Sequence, residues 1–463
     1  MSQFGLTAYV ADFIHKTRYD DVPAEVARLG KASILDALGC ALAGAHTPTV
    51  DILRRYVQPF EGVTGPTASV LGGGAKLPPR FAALINGTAM HVDDYDDTQQ
   101  AATGKFQGIH PTAAVLSALL AAGESCGASG IDVLLAYQIG AELACKLFDA
   151  THPNHILNGY HSTGTCGLLS AAAAVAKLYR LPPDAIRNCL GIAASQAAGL
   201  SENFGTMMKP FHAGRSGETG IVAADLTRMG FTAAASILES PRGFFQAEGG
   251  GWEPERIVDR LGQPWAFVDR GIWLKPWPTG SLSHPAMTLM LSLVETHDIK
   301  PQDIARITIK TSENISRTLL HHRPQTELEA KFSLEFCVAA LAVDRKLGLK
   351  SFTDEFVRRP DVQDLIGRVQ YDTFGEAEGR AAGHTIVTSF VDLALKDGRQ
   401  VGGKLDYGKG SKTNPMTQAE IEDKFRDCAG FAGWPADKTE RAIATVNRLE
   451  READVRTLLA CLT

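Results

Sequence analysis

The chain has 463 residues, 44% of them hydrophobic and 21% charged, which is enough apolar material for a large core and more than one domain. A formal net charge of -6, a pI near 6.1 and the lack of any basic stripe argue against nucleic acid as a partner. No apolar run reaches the ~18 residues a bilayer span needs, the opening MSQFGLTAYVADFIHK lacks the pattern of a secretory signal, and eight scattered cysteines form no CxxC pair, so a reduced cytoplasmic setting without membrane or zinc is expected.

The first part is predicted to be helical and is rich in small residues. PAEVARLGKASILDALGCALAG carries apolar positions at helical spacing and ends in Gly44. PTAAVLSALLAAGE opens with Pro111, suited to a first turn. SGIDVLLAYQIGAELACKLFDA has Ser129 as N-cap and Asp132 three residues on. TGTCGLLSAAAAVAKLYRL, PPDAIRNCLGIAASQAAGL and GRSGETGIVAADLTRMG follow, the last closing on Gly230. Helices this rich in Ala and Gly can approach closely, so a bundle with several fully buried helices is expected.

The pattern changes after about Trp265. IARITIKTS alternates like a strand, KFSLEFCVAALAVDRKLG reads as a helix, and HTIVTSFVDLALKDGRQVGGKLDY reads as a hairpin turning at Asp397-Gly398. Helix returns at TQAEIEDKFRDCAG, where Thr417 and Glu420 make a capping box, and at DKTERAIATVNRLEREADVRTLLACL. The chain is therefore expected to be mainly α with an α+β part: a helical domain over 1–268, an α+β domain over 269–414, and a return to the helical domain over 415–463.

Chemistry-bearing residues interrupt this apolar background. HVDDYDDT packs Asp93, Asp94, Asp96 and Asp97 into five residues, and desolvating any of them costs several kcal/mol unless something compensates. GIHPTAAV places His110 before a helix. NGYHSTGTCG places His161 in a Gly/Ser/Thr-rich turn. NFGTMMKPFHAGRSGETG carries Lys209, His212 and Arg215 between two helical runs, and GIWLKPWPTGSLSHPA carries Lys275, Ser281, Ser283 and His284. These groups lie near helix starts, where backbone N–H groups favour anions, and together suggest a cationic pocket.

Each feature also has a plainer reading. A single histidine is more often structural than catalytic, Lys209 and Lys275 precede prolines as exposed turn lysines do, and a run of acids is most often a solvated loop. His152 and His155 read as a surface turn. DDYDD also fits the DDxxD pattern of Mg²⁺-dependent class I isoprenoid synthases, which hold diphosphate through the metal. No second metal motif follows at helical spacing, and aromatics are only 7%.

Taken in order, GTAMHVDDYDDT, IHPT, NFGTMMKPFHAG, LKPWPTGSLSHPA, AKFSLEFCVAAL and NPMTQAEIEDKFRDCA resemble the MmgE/PrpD family over nearly the whole chain. That family includes 2-methylcitrate dehydratase, cis-aconitate decarboxylase and iminodisuccinate epimerase. The resemblance implies a large all-helical domain plus a smaller α+β lid domain, a homodimer, and catalysis with no metal and no organic cofactor. By position it implies Asp94 and Thr98 as an active-site pair, with His110, His161, Lys209, Lys275 and His284 at family positions. Two departures stand out. QQAATGKFQGI between Thr98 and His110 is longer than usual, and Thr279-Gly280 is small and neutral where many relatives carry Cys or His.

The activities in that family share a carbanion beside a carboxylate. The function implied is a cofactor-free lyase, of dehydratase or decarboxylase type, acting on a small di- or tricarboxylic acid through an enediolate. Reprotonation of the same carbanion on its other face gives an epimerase as the alternative. In this reading Asp94, His110, His161 and Lys209 are catalytic, and Thr98, Lys275, His284 and Arg215 bind substrate.

Overall fold

The computed structural model describes residues 5–100 and 108–463. It divides into two compact units, Met1–Ile272 with Thr417–Thr463, and Trp273–Met416. The architecture is mainly α, with one mixed four-stranded sheet.

The first unit is helical. Its principal helices up to Ile272 are α1 (Ala24–Gly44), α2 (Pro79–His91), α3 (Thr112–Cys126), α4 (Gly130–Ala150), α5 (Ser162–Leu178), α6 (Pro183–Ala194) and α7 (Met208–Arg228). Ser129 caps α4 by accepting the Asp132 N–H at 3.3 Å. Gly230 follows α7 with φ 88°. Every residue of α5 except Lys177 is buried, as its Ala/Gly-rich sequence leads one to expect.

Two helices matter most for the site, and the sequence pattern underread both. α2 drew no expectation, and α7 begins at Met208 rather than near Gly214. Lys209, His212 and Arg215 therefore sit on the first turns of a helix, not in a connection between helices. Pro210 suits that first turn because its missing N–H has no partner to lose there. The polar residues around it mask the apolar period. α2 and α7 touch backbone to backbone: a Cβ on Gly87 would lie 2.9 Å from Gly214 Cα and 2.8 Å from Ser117 Oγ.

The second unit contains α8 (His284–Thr296), β1 (Ile304–Ser312), α9 (Leu334–Asp344), β2 (Val369–Phe374), β3 (Ser389–Leu395) and β4 (Gln400–Leu405). The sheet order is β2-β1-β3-β4, with β1 parallel to β2 and antiparallel to β3. Ile307, Ile309, Val391 and Leu393 join Met287, Met290, Val338 and Leu341 in one core. The hairpin turns at Asp397-Gly398, where Gly398 has φ 92°. Its first strand starts at Ser389, later than expected, because Thr385 and Thr388 form a side-chain-bonded turn, Thr385 N–H to Thr388 Oγ1 at 2.8 Å.

The chain then returns to the first unit through α10 (Gln418–Phe431) and α11 (Ala436–Asn447). The Thr417–Glu420 capping box is present. The final helix expected through Leu462 instead breaks after Asn447, and a short helix Arg456–Leu459 restarts where Asp454 accepts the Arg456 N–H at 2.9 Å. Among the described residues no helix is long and apolar enough to cross a membrane.

Candidate active site

The acid-rich stretch follows the end of α2. His91 is the last helical residue, and Asp94 turns with a left-handed φ of 51°, a conformation Asp tolerates better than most residues. Tyr95 is held from behind by α10. The buried Lys424 ammonium donates to Tyr95 O at 2.7 Å and to Asp36 Oδ1 of α1 at 2.6 Å, and lies 3.7 Å from the Tyr95 ring centroid. Thr98 follows, then Gln99–Gln100, which pair antiparallel with Gly108–Ile109. The middle of the long stretch between Thr98 and His110, residues 101–107, lies outside the described residues. The short ladder nonetheless brings its two ends together, and Thr98 Oγ1 donates to Ile109 O at 3.2 Å.

Four segments of the first unit meet around Lys209. Its Nζ lies 2.7 Å from Asp94 Oδ1 and 3.1 Å from His91 Nε2. His91 Nδ1 in turn lies 2.9 Å from Asp96 Oδ1. His110 lies between the two acids, with Nδ1 3.2 Å from Asp96 Oδ2 and Nε2 3.9 Å from Asp94 Oδ1. His161, just before α5, places Nδ1 3.0 Å from His212 Nδ1 on α7. Its own backbone N–H is tied to Gly199 O at 3.0 Å.

The electrostatics follow from burial. Burial, with the nearby Lys209 charge opposing protonation, lowers His91 to about 3 and His212 to about 4, and drives His161 well below the usual imidazole range. Burial works to raise Asp96, but His91 and His110 facing it hold it well below the usual carboxylate range. The site thus sets three neutral imidazoles, His91, His161 and His212, beside an ammonium–carboxylate pair. Between His161 and His212 one Nδ1 must carry the hydrogen and the other the lone pair.

Three of the four acids have different tasks. Asp94 faces Lys209 and Asp96 faces two histidines. Asp97 turns inward to accept from Thr112 Oγ1 at 2.5 Å, and burial pushes it well above the usual range. This divergence does not fit a DDxxD motif gripping one diphosphate-bound metal cluster. His91, Asp94, Asp96 and His110 do bring ligand-type atoms within 4.8 Å of one another. The Lys209 ammonium, however, already contacts His91 Nε2 and Asp94 Oδ1, so the cation facing these atoms is an amine of the chain itself.

Of the sequence-based candidates, Asp94, Thr98, His110, His161 and Lys209 come together in the first unit. Lys209 is buried rather than an exposed turn lysine. Arg215 is exposed and pairs with Glu218 Oε2 at 2.7 Å, on the side of α7 that also receives Arg80. Lys275 and His284 belong to the second unit. Both are buried there, with Trp277 edge-on to His284 at 5.4 Å. His155 is not on a surface turn. It is buried, bonded through Nε2 to Thr165 Oγ1 at 2.9 Å and stacked on Tyr160. Sequence reasoning passed over His91 and gave Asp96 and His212 no specific role. The available signals were the His91–Asp96 spacing within HVDDYDDT and the one-turn spacing of Lys209 and His212.

Comparison with known proteins converges on one family. The MmgE/PrpD N-terminal domain matches residues 8–257 and the MmgE/PrpD C-terminal domain matches residues 277–451. A cis-aconitate decarboxylase of Homo sapiens is 28% identical, over 99% of this chain and 94% of that protein. The cis-aconitate decarboxylase of Mus musculus is 27% identical, over 99% of this chain and 93% of that protein, and one of Aspergillus terreus is 28% identical, over 99% and 96%.

Proposed function

The chain belongs to the MmgE/PrpD family, and on that premise we propose that it is a lyase that removes CO₂ from a small unsaturated tricarboxylate of the cis-aconitate type. The observation that carries this reading is the buried Lys209 ammonium set among Asp94 and neutral imidazoles. Such a site suits a polyanion whose charge shifts toward one carboxylate during reaction.

When the bond to the leaving carboxylate breaks, its electron pair moves through the alkene to a carbon beside a second carboxylate. The resulting enediolate is unfavourable in water. Lys209 stabilises it through an N–H not directed at Asp94 or His91, because preorganised charge acts more strongly on the transition state than on the substrate. His161, with His212 donating to its Nδ1, keeps its own proton on Nε2 and offers it to a substrate carboxylate. His110 delivers a proton from Nε2 to carbon, forming the new C–H bond. Asp94, on the Nε2 side of that ring, passes a solvent proton back. Thr98 bonds a substrate oxygen, and Lys275 and His284 take substrate carboxylates by family resemblance. The working form is a homodimer without metal or organic cofactor.

The test is turnover in D₂O, followed by NMR, with cis-aconitate, citrate and 2-methylcitrate, before and after exhaustive EDTA treatment. CO₂ release with one deuterium at the new C–H position, unchanged by EDTA, is expected. Water loss from a citrate identifies a dehydratase, and exchange without net turnover an epimerase. Activity lost to EDTA and restored only by Mg²⁺ would overturn the cofactor-free mechanism.

A further inference from the structure

The chemistry above leaves one group without a task. Asp96 is completely buried, and its carboxylate meets two imidazoles through the same ring atom. His91 Nδ1 lies 2.9 and 3.0 Å from its two oxygens, and His110 Nδ1 lies 3.2 Å from Oδ2. An ionised carboxylate only accepts hydrogen bonds, so a ring nitrogen paired with it must carry hydrogen. In a neutral imidazole this fixes the tautomer, with Nδ1–H toward Asp96 and the lone pair on Nε2.

His91 gives an internal check. Its Nε2 lies 3.1 Å from Lys209 Nζ, and an ammonium can only donate. His91 Nε2 must therefore accept, and Nδ1 must hold the hydrogen, as the Asp96 contact independently requires. Lys209 to His91 to Asp96 is one hydrogen-bond chain with a single consistent direction. At His110 the contact is a carboxylate charge 3.2 Å from Nδ1 rather than an aligned hydrogen bond; that charge still favours the hydrogen on Nδ1 and leaves Nε2, the atom on the Asp94 side, as the one that exchanges protons.

We propose that Asp96 is a positioning residue: through His110 Nδ1 it makes Nε2 the proton-exchanging atom, and through His91 Nδ1 it makes His91 Nε2 an acceptor that holds Lys209. The kinetic part rests on His110 being the proton carrier of the proposed function, and the tautomer part does not. Charged and titratable groups around His110 come from every side. Asp94 and Asp96 come from the stretch after α2, His91 from α2 itself, Lys209 from α7, and His161 from the turn before α5. Removing the Asp96 charge leaves His110 with Asp94 as the only nearby anion in this set, and protonating His110 becomes harder.

The experiment uses the full chain labelled with ¹⁵N-histidine. Long-range ¹H–¹⁵N spectra of the wild type are expected to show the Nδ1–H tautomer for His91 and, whenever it is neutral, for His110. Asp96→Asn is expected to lose that preference at one or both rings. Its kcat should fall ~10²-fold, the lower end for general acid–base catalysis, its KM should stay within about twofold, and the alkaline-side break in its kcat–pH profile, where His110 loses the proton it delivers, should move to lower pH. A purely structural role would lower Tm without moving that break. Nε2–H tautomers on both wild-type rings would overturn the proposal, and so would an Asp96→Asn enzyme with wild-type kcat and pH profile. The wild-type spectrum decides the tautomer part even if the variant does not fold. It also decides it if the enzyme turns over no tricarboxylate, an outcome that counts against the proposed function instead.

Discussion

Lys209 Nζ and Asp94 Oδ1 lie 2.7 Å apart although 115 positions separate them in the chain. The pair exists because α2 and α7 run against each other with glycines at the crossing, one helix ending near Asp94 and the other starting at Met208. Lys209→Ala removes a charged donor that meets the substrate in both ground and transition state. KM should rise and kcat should fall together, with kcat/KM down about 10–100-fold, as a charged hydrogen bond of about 1.5–3 kcal/mol implies. It also leaves Asp94 buried without its ammonium, so Tm should drop, and adding Asp94→Asn should recover part of that loss. Steady-state kinetics and thermal melts of the two variants check this, and an unchanged KM would remove Lys209 from the binding role.

His110 acts mainly while the proton moves. His110→Ala should lower kcat by ~10²–10⁴-fold with little change in KM. If His110→Ala keeps wild-type kcat while His161→Ala or Asp94→Asn abolishes it, the proton carrier is one of those two.

Much of this arrangement was readable from sequence, because strongly periodic helices and capped termini declare themselves locally. Ser129, Gly230, Asp397-Gly398 and the Thr417–Glu420 box all do what their chemistry suggests. The helices α2 and α7 were less legible. Their faces are set by contact of small residues such as Gly87 and Gly214, not by an apolar stripe, and the polar residues of the site sit on α7 itself. The inner layer of the site was hidden for a related reason. His91 and Asp96 are partners only because the turn at Asp94 folds the stretch back on the end of α2, and His212 meets His161 only through the packing of α7 beside α5. Such pairings belong to tertiary structure, and spacing alone did not single them out.

The α2–α7 crossing gives a test of how tightly fold and site are coupled. A Cβ on Gly214 would strike Leu84 O and the Thr88 side chain. The backbone cannot yield without separating the helices, so Gly214→Ala should destabilise the protein by roughly 1–3 kcal/mol, the usual cost of overpacking. Separation there also moves Lys209 away from Asp94, so kcat/KM should fall even at temperatures where the variant is fully folded. A variant with wild-type Tm would show that the crossing has slack. One with lower Tm but full activity when folded would show that the site does not depend on it.

The neutral histidines predict a pH dependence of stability whose sign can be worked out for one group. His212 is lowered to about 4 in the folded protein by burial and the nearby Lys209 charge, while an unfolded imidazole titrates near ~6.5. Between those values the unfolded chain binds the extra proton and the folded chain does not, so stability rises with pH. The contribution of this group is fully present above about pH 7 and is lost as pH falls, at up to ~1.4 kcal/mol per pH unit. The raw curve of Tm against pH does not isolate it. Burial raises Glu142 to about 7, which has the opposite sign over an overlapping range. The difference between wild type and His212→Asn cancels such terms. The wild type's Tm advantage over the variant should shrink steadily from pH 7 to pH 5. Parallel curves over that range would mean that His212 is not held neutral, and that the His161–His212 contact carries a shared charge instead.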